Sequence, residues 1–367
     1  MEEFFDMDDV SGAFRIYSER VLNPIEEAHK GSSRAHTQTT LRRLARQIST
    51  HDTLLPDLIN SPDHSTRSDL IAHFHLEAAL AMLRRGRFAK AFQQFGFAKL
   101  DLRELIAQFP GLQPPYVEKY NPKRLRRTNF DISSSQDDLD DEDIHAYPML
   151  LRVENRTENT KDELLTTFKE YLKSQRSKGI ADSEIAAFVD FALFRLFVDP
   201  PHSEGDVQAL HKLCASPNSL EVDTCAHALL DKEQYHAAAL LLGSSPSHRR
   251  EALEIWADIG KGKYAESGID GVAETINFLR AHHEDPQLVW SFAPWVLERD
   301  PESAVQIFTE PTQDSQGNLD PETVLDQLCK YDTSPRSRLC LTYLQKLSAD
   351  ESMDPSARAF DLQTAQE

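Results

Sequence analysis

With 367 residues, 40% of them hydrophobic, the chain is long enough to bury a core, as two compact domains or as one elongated array. Acidic residues outnumber basic ones 60 to 40, a formal charge of −20, which argues against nucleic acid or an anionic lipid surface as the main partner. Four cysteines, at 214, 225, 329 and 340, are too few and too scattered for a secreted disulfide framework. No apolar leader follows a basic start and no window nears the roughly 18 apolar residues of a membrane span, so the chain reads as cytosolic, with any membrane contact indirect.

In chain order, residues 1–30 carry Phe4, Phe5, Met7, Val10, Phe14, Ile16, Tyr17 and Val21, compatible with a helix that ends near Asn23 and Pro24. Leu41, Leu44 and Ile48, then Leu54, Leu55, Leu58 and Ile59, suggest two further short helices. Residues 68–85 form the clearest helix of the first half, with Leu70, Phe74, Leu76, Ala79, Leu80 and Leu83 on one broad face and Gly86 beyond its end. Phe88, Ala91, Phe92 and Phe95 make 87–97 its antiparallel partner, and 101–109 adds one more helix, stopped at Pro110 and Gly111. Leu83, Phe88 and Ala91 recur at the same offsets as Leu230, Tyr235 and Ala238, which suggests a repeat: the aromatic wedges into a bend and the alanine permits close helix approach.

Residues 121–147 break the pattern: basic first, then serines, then six acids between Asp137 and Asp143, with too few apolar residues to offset the entropy of ordering. This reads as a charged flexible linker or long loop, and Ser134 and Ser135, each with an Asp three residues on, suit an acid-directed kinase. Beyond it the helical pattern resumes at 161–174, with Asn159 and Thr160 as caps. The run 183–197 is apolar nearly all round, hence buried on more than one side. Helices then fit 206–214, 222–230, 234–242, 247–259 and 271–282.

Residues 285–311 hold a helical hairpin. Asp285-Pro286 and Asp300-Pro301 each place an N-capping carboxylate before a proline at N1. Leu288, Val289, Phe292, Trp295 and Val296 form one stripe, Ala304, Val305, Ile307 and Phe308 the other, and Pro294 should bend the first helix. Trp290, Phe292, Trp295, Val305, Ile307 and Phe308 are expected in the core. No sustained period-two alternation marks a strand. The expected domains are therefore 1–120, a helical-repeat segment; 121–147, the linker; 148–349, a second helical-repeat segment; and 350–367, a loosely ordered tail.

Candidates for chemistry are weak. His211, Cys214, Cys225 and His227 offer soft ligands without the tight pairs that fix zinc geometry, so buried cysteines and surface histidines are expected. Cys329 and Cys340 fall in successive helices, where they would pack as small apolar groups. His73 and His75 diverge on a helix, and His282 and His283 sit at a helix end, where they would meet its dipole. Gly260-Lys261-Gly262-Lys263 lacks both the strand and the closing Ser or Thr of a phosphate loop. No catalytic, cofactor-binding or metal-binding residue is assigned, no cofactor is expected, and the chain reads as non-enzymatic.

LVWSFAPWVL at 288–297 followed by AVQIFTEP at 304–311, with DPETVLDQL at 320–328 and LTYLQKL at 341–347, resembles the vacuolar sorting protein 39 and TGF-beta receptor-associated protein family. The segments 236–256 and 87–112 are similar to two more of its stretches. The resemblance covers most of 70–347. It implies an all-α fold, an α-solenoid of helical hairpins like clathrin heavy-chain repeats. It further implies a tethering or scaffold subunit of the CORVET or HOPS complexes, cytoplasmic and peripheral on endosomal or vacuolar membranes, whose partners are sister subunits and a Rab GTPase. The family's N-terminal β-propeller and RING-like zinc module are not expected in this chain. A generic helical-repeat adaptor or coat-like scaffold is the alternative.

Overall fold

The computed structural model describes residues 14, 15, 18, 19, 67–109, 111–118, 120, 158–199, 204–266, 268–309, 319–331 and 338–349. Among them every regular element is helical: an α-solenoid of helical hairpins in which helices pack on others one to three places away in sequence. The readings for 1–13, 16, 17, 20–66, 121–157 and 350–367, including most of the N-terminal helix, the linker, its serines and the tail, lie outside the described residues. The helices fall into two compact units, one reaching to Ser203 and including Asn218–Leu220, the other comprising Glu204–Pro217 and the chain from Glu221 on.

The first unit contains α1 (Arg67–Arg84), α2 (Phe88–Phe97), α3 (Leu102–Ile106), α4 (Glu158–Ser177) and α5 (Ser183–Val198). The stripe on α1 is buried at Phe74, Leu76, Ala79, Leu80 and Leu83, and faces Phe88, Ala91, Phe92 and Phe95 of α2. The helices on either side of residues 121–157 belong together: Phe168 of α4 stacks on Phe92 (5.2 Å between centroids) and on Phe109 (4.5 Å). Helix α4 begins earlier than its pattern suggests, so Asn159 and Thr160 lie in its first turn rather than capping it. The third helix is shorter than 101–109, because Asp101 caps it by accepting from the Arg103 amide (2.9 Å) and the chain turns after Ile106.

In α5 the apolar run is buried on several sides, and one acid sits inside it. Asp190 accepts from Arg176 Nε (2.6 Å) and from the Ser219 amide (2.9 Å), so a single carboxylate ties α4, α5 and residues 218–220 together. A buried carboxylate is tolerated only where such donors replace water.

The second unit runs α6 (Glu204–Ala215), α7 (Val222–Asp231), α8 (Tyr235–Gly243), a 3-10 turn (Pro246–His248), α9 (Arg249–Gly260), α10 (Gly271–Ala281), α11 (Pro286–Arg299), α12 (Pro301–Ala304), α13 (Gln306–Thr309), α14 (Pro321–Tyr331) and α15 (Arg338–Ala349). The expected hairpin is present. Asp285 accepts from the Leu288 amide (3.0 Å), Asp300 from the Ser303 amide (3.1 Å), and each proline occupies N1. Its second arm is not one helix but two short ones, interrupted at Val305.

Two of the expected core residues are only half-buried: Trp290 and Trp295. The fully buried tryptophan is Trp256 on α9. Trp295 reaches outward over the end of α9, where a Cβ on Gly260 would stand 2.9 Å from its ring and the Lys261 ammonium lies 5.5 Å from its centroid. Phe292, Val305, Ile307 and Phe308 are buried as expected.

The repeat echo has a structural basis. After α1, the Gly86 amide donates to Leu83 O (3.0 Å) and the Arg87 amide to Met82 O (2.9 Å); after α7, Glu233 donates to Leu230 O (3.1 Å) and Gln234 to Leu229 O (2.9 Å). Both are the paired bonds of a Schellman end, with Gly86 at φ 72° and Glu233 at φ 58°. Arg87 and Gln234 then leave the turn with nearly the same angles (φ −92°, ψ 62° and φ −91°, ψ 62°), so Phe88 and Tyr235 open the following helices alike. Gly262 closes α9 with the same pair of bonds, again two residues before an aromatic, Tyr264. Tyr235 is only half-buried, unlike Phe88, and stacks on Tyr264 at 4.0 Å.

Candidate functional site

A row of rings from α6, α8, α9 and α10 runs through the second unit. His211 of α6 meets His236 of α8 edge-on (4.7 Å), His236 lies 6.3 Å from Trp256 of α9, Trp256 5.1 Å from Phe278 of α10, and Phe278 4.3 Å from His282. Trp256 Nε1 donates to His236 Nδ1 (3.2 Å), which assigns the neutral ring's proton to Nε2. The His236 amide donates to Glu266 (2.6 Å), so a carboxylate from the loop after α9 satisfies an orphan donor at the start of α8.

Burial, then the neighbouring His211, pushes the His236 imidazole down to about 4, and burial lowers His211 as well. Burial raises the Glu266 carboxyl, opposed by the His236 amide bond. These groups pack against one another inside the second unit, with His236 held by Trp256 and by the Glu266 carboxylate at its amide.

Cys214 and Cys225 are buried beside this row, and burial, with Cys225 adjacent, pushes the Cys214 thiol up to about 12. His227 points to solvent. The four soft ligands thus do not converge, and among the described residues no group of three or more His, Cys, Asp or Glu is placed to hold a metal ion. At the end of α9, Lys263 pairs with Asp258 and Lys261 lies over Trp295 while Gly262 takes the left-handed turn, so both lysines of the Gly-Lys-Gly-Lys run are engaged within the chain.

His75 Nδ1 bonds Gln94 (2.8 Å) and His73 is buried on α1. His282 follows α10, yet burial and the nearby Arg249 lower its affinity for a proton, which removes the charge a dipole contact would use. Cys329 is exposed, not packed as a small apolar group, and its sulfur touches that of Cys340 (3.2 Å). The ring row and the Asp190 node escaped the sequence reading. Each helix contributes one ring, and no spacing along the chain marks residues that meet only after folding.

No helix among the described residues is long and apolar enough to cross a membrane. Residues 189–297, from α5 through α11, match the family model described as "Vacuolar sorting protein 39 domain 1". The chain is 27% identical over 258 residues to the Transforming growth factor-beta receptor-associated protein 1 of Bos taurus, covering 70% of this chain and 27% of the relative. It is 25% identical over 278 residues to the protein of the same name in Homo sapiens (75% and 29%). To the Vacuolar protein sorting-associated protein 39 homolog of Drosophila melanogaster it is 22% identical over 293 residues (79% and 29%). The chain therefore spans less than a third of the length of these relatives. No solved structure matches. Helical hairpins laid in succession and this shared sequence together make the chain similar to vacuolar sorting protein 39 and transforming growth factor-beta receptor-associated protein 1.

Proposed function

We propose that the chain acts as a non-enzymatic tethering or scaffold subunit in endosome-to-vacuole or lysosome trafficking, working through contacts with CORVET- or HOPS-type sister subunits and a Rab GTPase. The observation that carries this reading is the domain match over residues 189–297, which coincides with consecutive packed helices. The mechanism is positional. Each hairpin buries one stripe against its neighbours and leaves the other face for partners, so a stack of hairpins holds bound proteins at set separations. Membrane contact is indirect, and the location is cytoplasmic and peripheral on endosomal or vacuolar membrane.

Affinity purification of the tagged chain from its own cells tests this. Recovery of the core subunits shared by CORVET and HOPS is the expected result, and the remaining subunits identify the compartment. Recovery of none of them, under conditions that preserve a control tether, overturns it in favour of a scaffold for another assembly.

A further inference from the structure

Cys329 on α14 and Cys340 on α15 face each other with their sulfurs 3.2 Å apart, both as thiols. The two helices pack together, and α15 also packs on α13. Cys329 is exposed and Cys340 buried, an asymmetry that divides the labour of oxidation: the first sulfur meets reagents from solvent, the second is shielded from other thiols and can answer only its neighbour. Cys214 and Cys225, buried and away from solvent, lack the first of these conditions.

We propose that Cys329 and Cys340 form a peroxide-responsive modification site that closes to an intrachain disulfide and staples α14 to α15. The Cys329 thiolate attacks one oxygen of hydrogen peroxide, the O–O bond breaks, and Cys329 sulfenic acid and water form. The Cys340 thiol then attacks the sulfenic sulfur, the S–O bond breaks, and a second water leaves with the disulfide. Two thiols together lose two electrons and two protons, and one peroxide becomes two waters. In the reduced state the pair of helices is held by Val324, Leu325 and Leu328 with Leu339 and Tyr343; the bridge adds a covalent link across that contact.

The full chain, reduced and then exposed to hydrogen peroxide, is digested without reductant and analysed by mass spectrometry. The expected product is a Cys329–Cys340 cross-linked peptide, lighter by two hydrogens and reversed by dithiothreitol, with Cys214 and Cys225 recovered as thiols. Hydrogen exchange in α14 and α15 should slow on oxidation of the wild type. In Cys340→Ser, exchange should not slow, and Cys329 should accumulate as higher oxidation products or intermolecular dimers. Oxidation of Cys329 without a cross-link, a bridge to Cys214 or Cys225, or intact thiols where added glutathione is oxidised would overturn the site. A cross-link with unchanged exchange would overturn the staple.

Discussion

His236 is neutral between His211 and Trp256, and this makes the second unit sensitive to acid. Folded, its imidazole resists protonation down to about 4, whereas an unfolded histidine titrates near 6.5. Between those values the unfolded chain binds the extra proton. The contribution is therefore complete above about pH 6.5 and is lost as the pH falls toward about 4. A loss of about 2 kcal/mol is expected between about pH 7 and about pH 5, to which His211 adds, while Glu266, with its carboxyl raised, acts in the opposite sense. Denaturant titrations at both pH values should show a larger loss for the wild type than for His236→Gln. At Asp190, substitution by alanine deprives Arg176 and the Ser219 amide of one acceptor and should lower stability by about 1–3 kcal/mol. Asp190→Asn retains an oxygen for the Ser219 amide and should lose less; equal unfolding midpoints for the two variants would contradict the role of that amide bond.

At the scale of elements, close approach and turn geometry decide what each helix tolerates. A Cβ at Gly271, the first residue of α10, would stand 2.2 Å from the Trp256 carbonyl oxygen and 2.4 Å from the Gly260 amide nitrogen, backbone atoms that cannot swing aside. Gly271→Ala should cost about 1–3 kcal/mol by forcing α9 and α10 apart. Gly96, inside α2, faces open space, so the same substitution there should stabilise by about 0.4–1 kcal/mol through the unfolded chain's lost freedom. Calorimetry on the pair should give melting shifts of opposite sign. Trp256→Ala should remove about 3–5 kcal/mol, the range for a buried aromatic, and Trp295→Ala less, since that residue is already partly exposed.

For the molecule as a whole, packing between helices one to three places apart in sequence makes stability local. In Trp256→Ala, hydrogen exchange should rise most in α8, α9 and α10, which share the ring row, and least in α14 and α15 of the same unit. Uniform acceleration across the unit would mean that it unfolds as one block. Acid-rich composition also finds a use at this scale: Asp101, Asp182, Glu221, Asp270, Asp285, Asp300 and Asp320 all accept amide protons at helix starts. Part of the negative charge therefore completes helix ends where the dipole favours it.

Helix type and many of the helix positions were legible in the sequence, because apolar periodicity, Asp-Pro caps and turn glycines act over a few residues. The turn at Gly86 was readable from its glycine, and its twin at Glu233 only from the recurrence of leucine, aromatic and alanine around it. What only the tertiary structure decided were contacts between residues distant in the chain. Periodicity identifies which face of a helix is apolar, but not which neighbour covers it. Hence Trp295 lay in the expected core stripe yet emerges over Gly260, Trp256 took the buried place, and Asp190, polar within an apolar run, found donors 14 and 29 residues away.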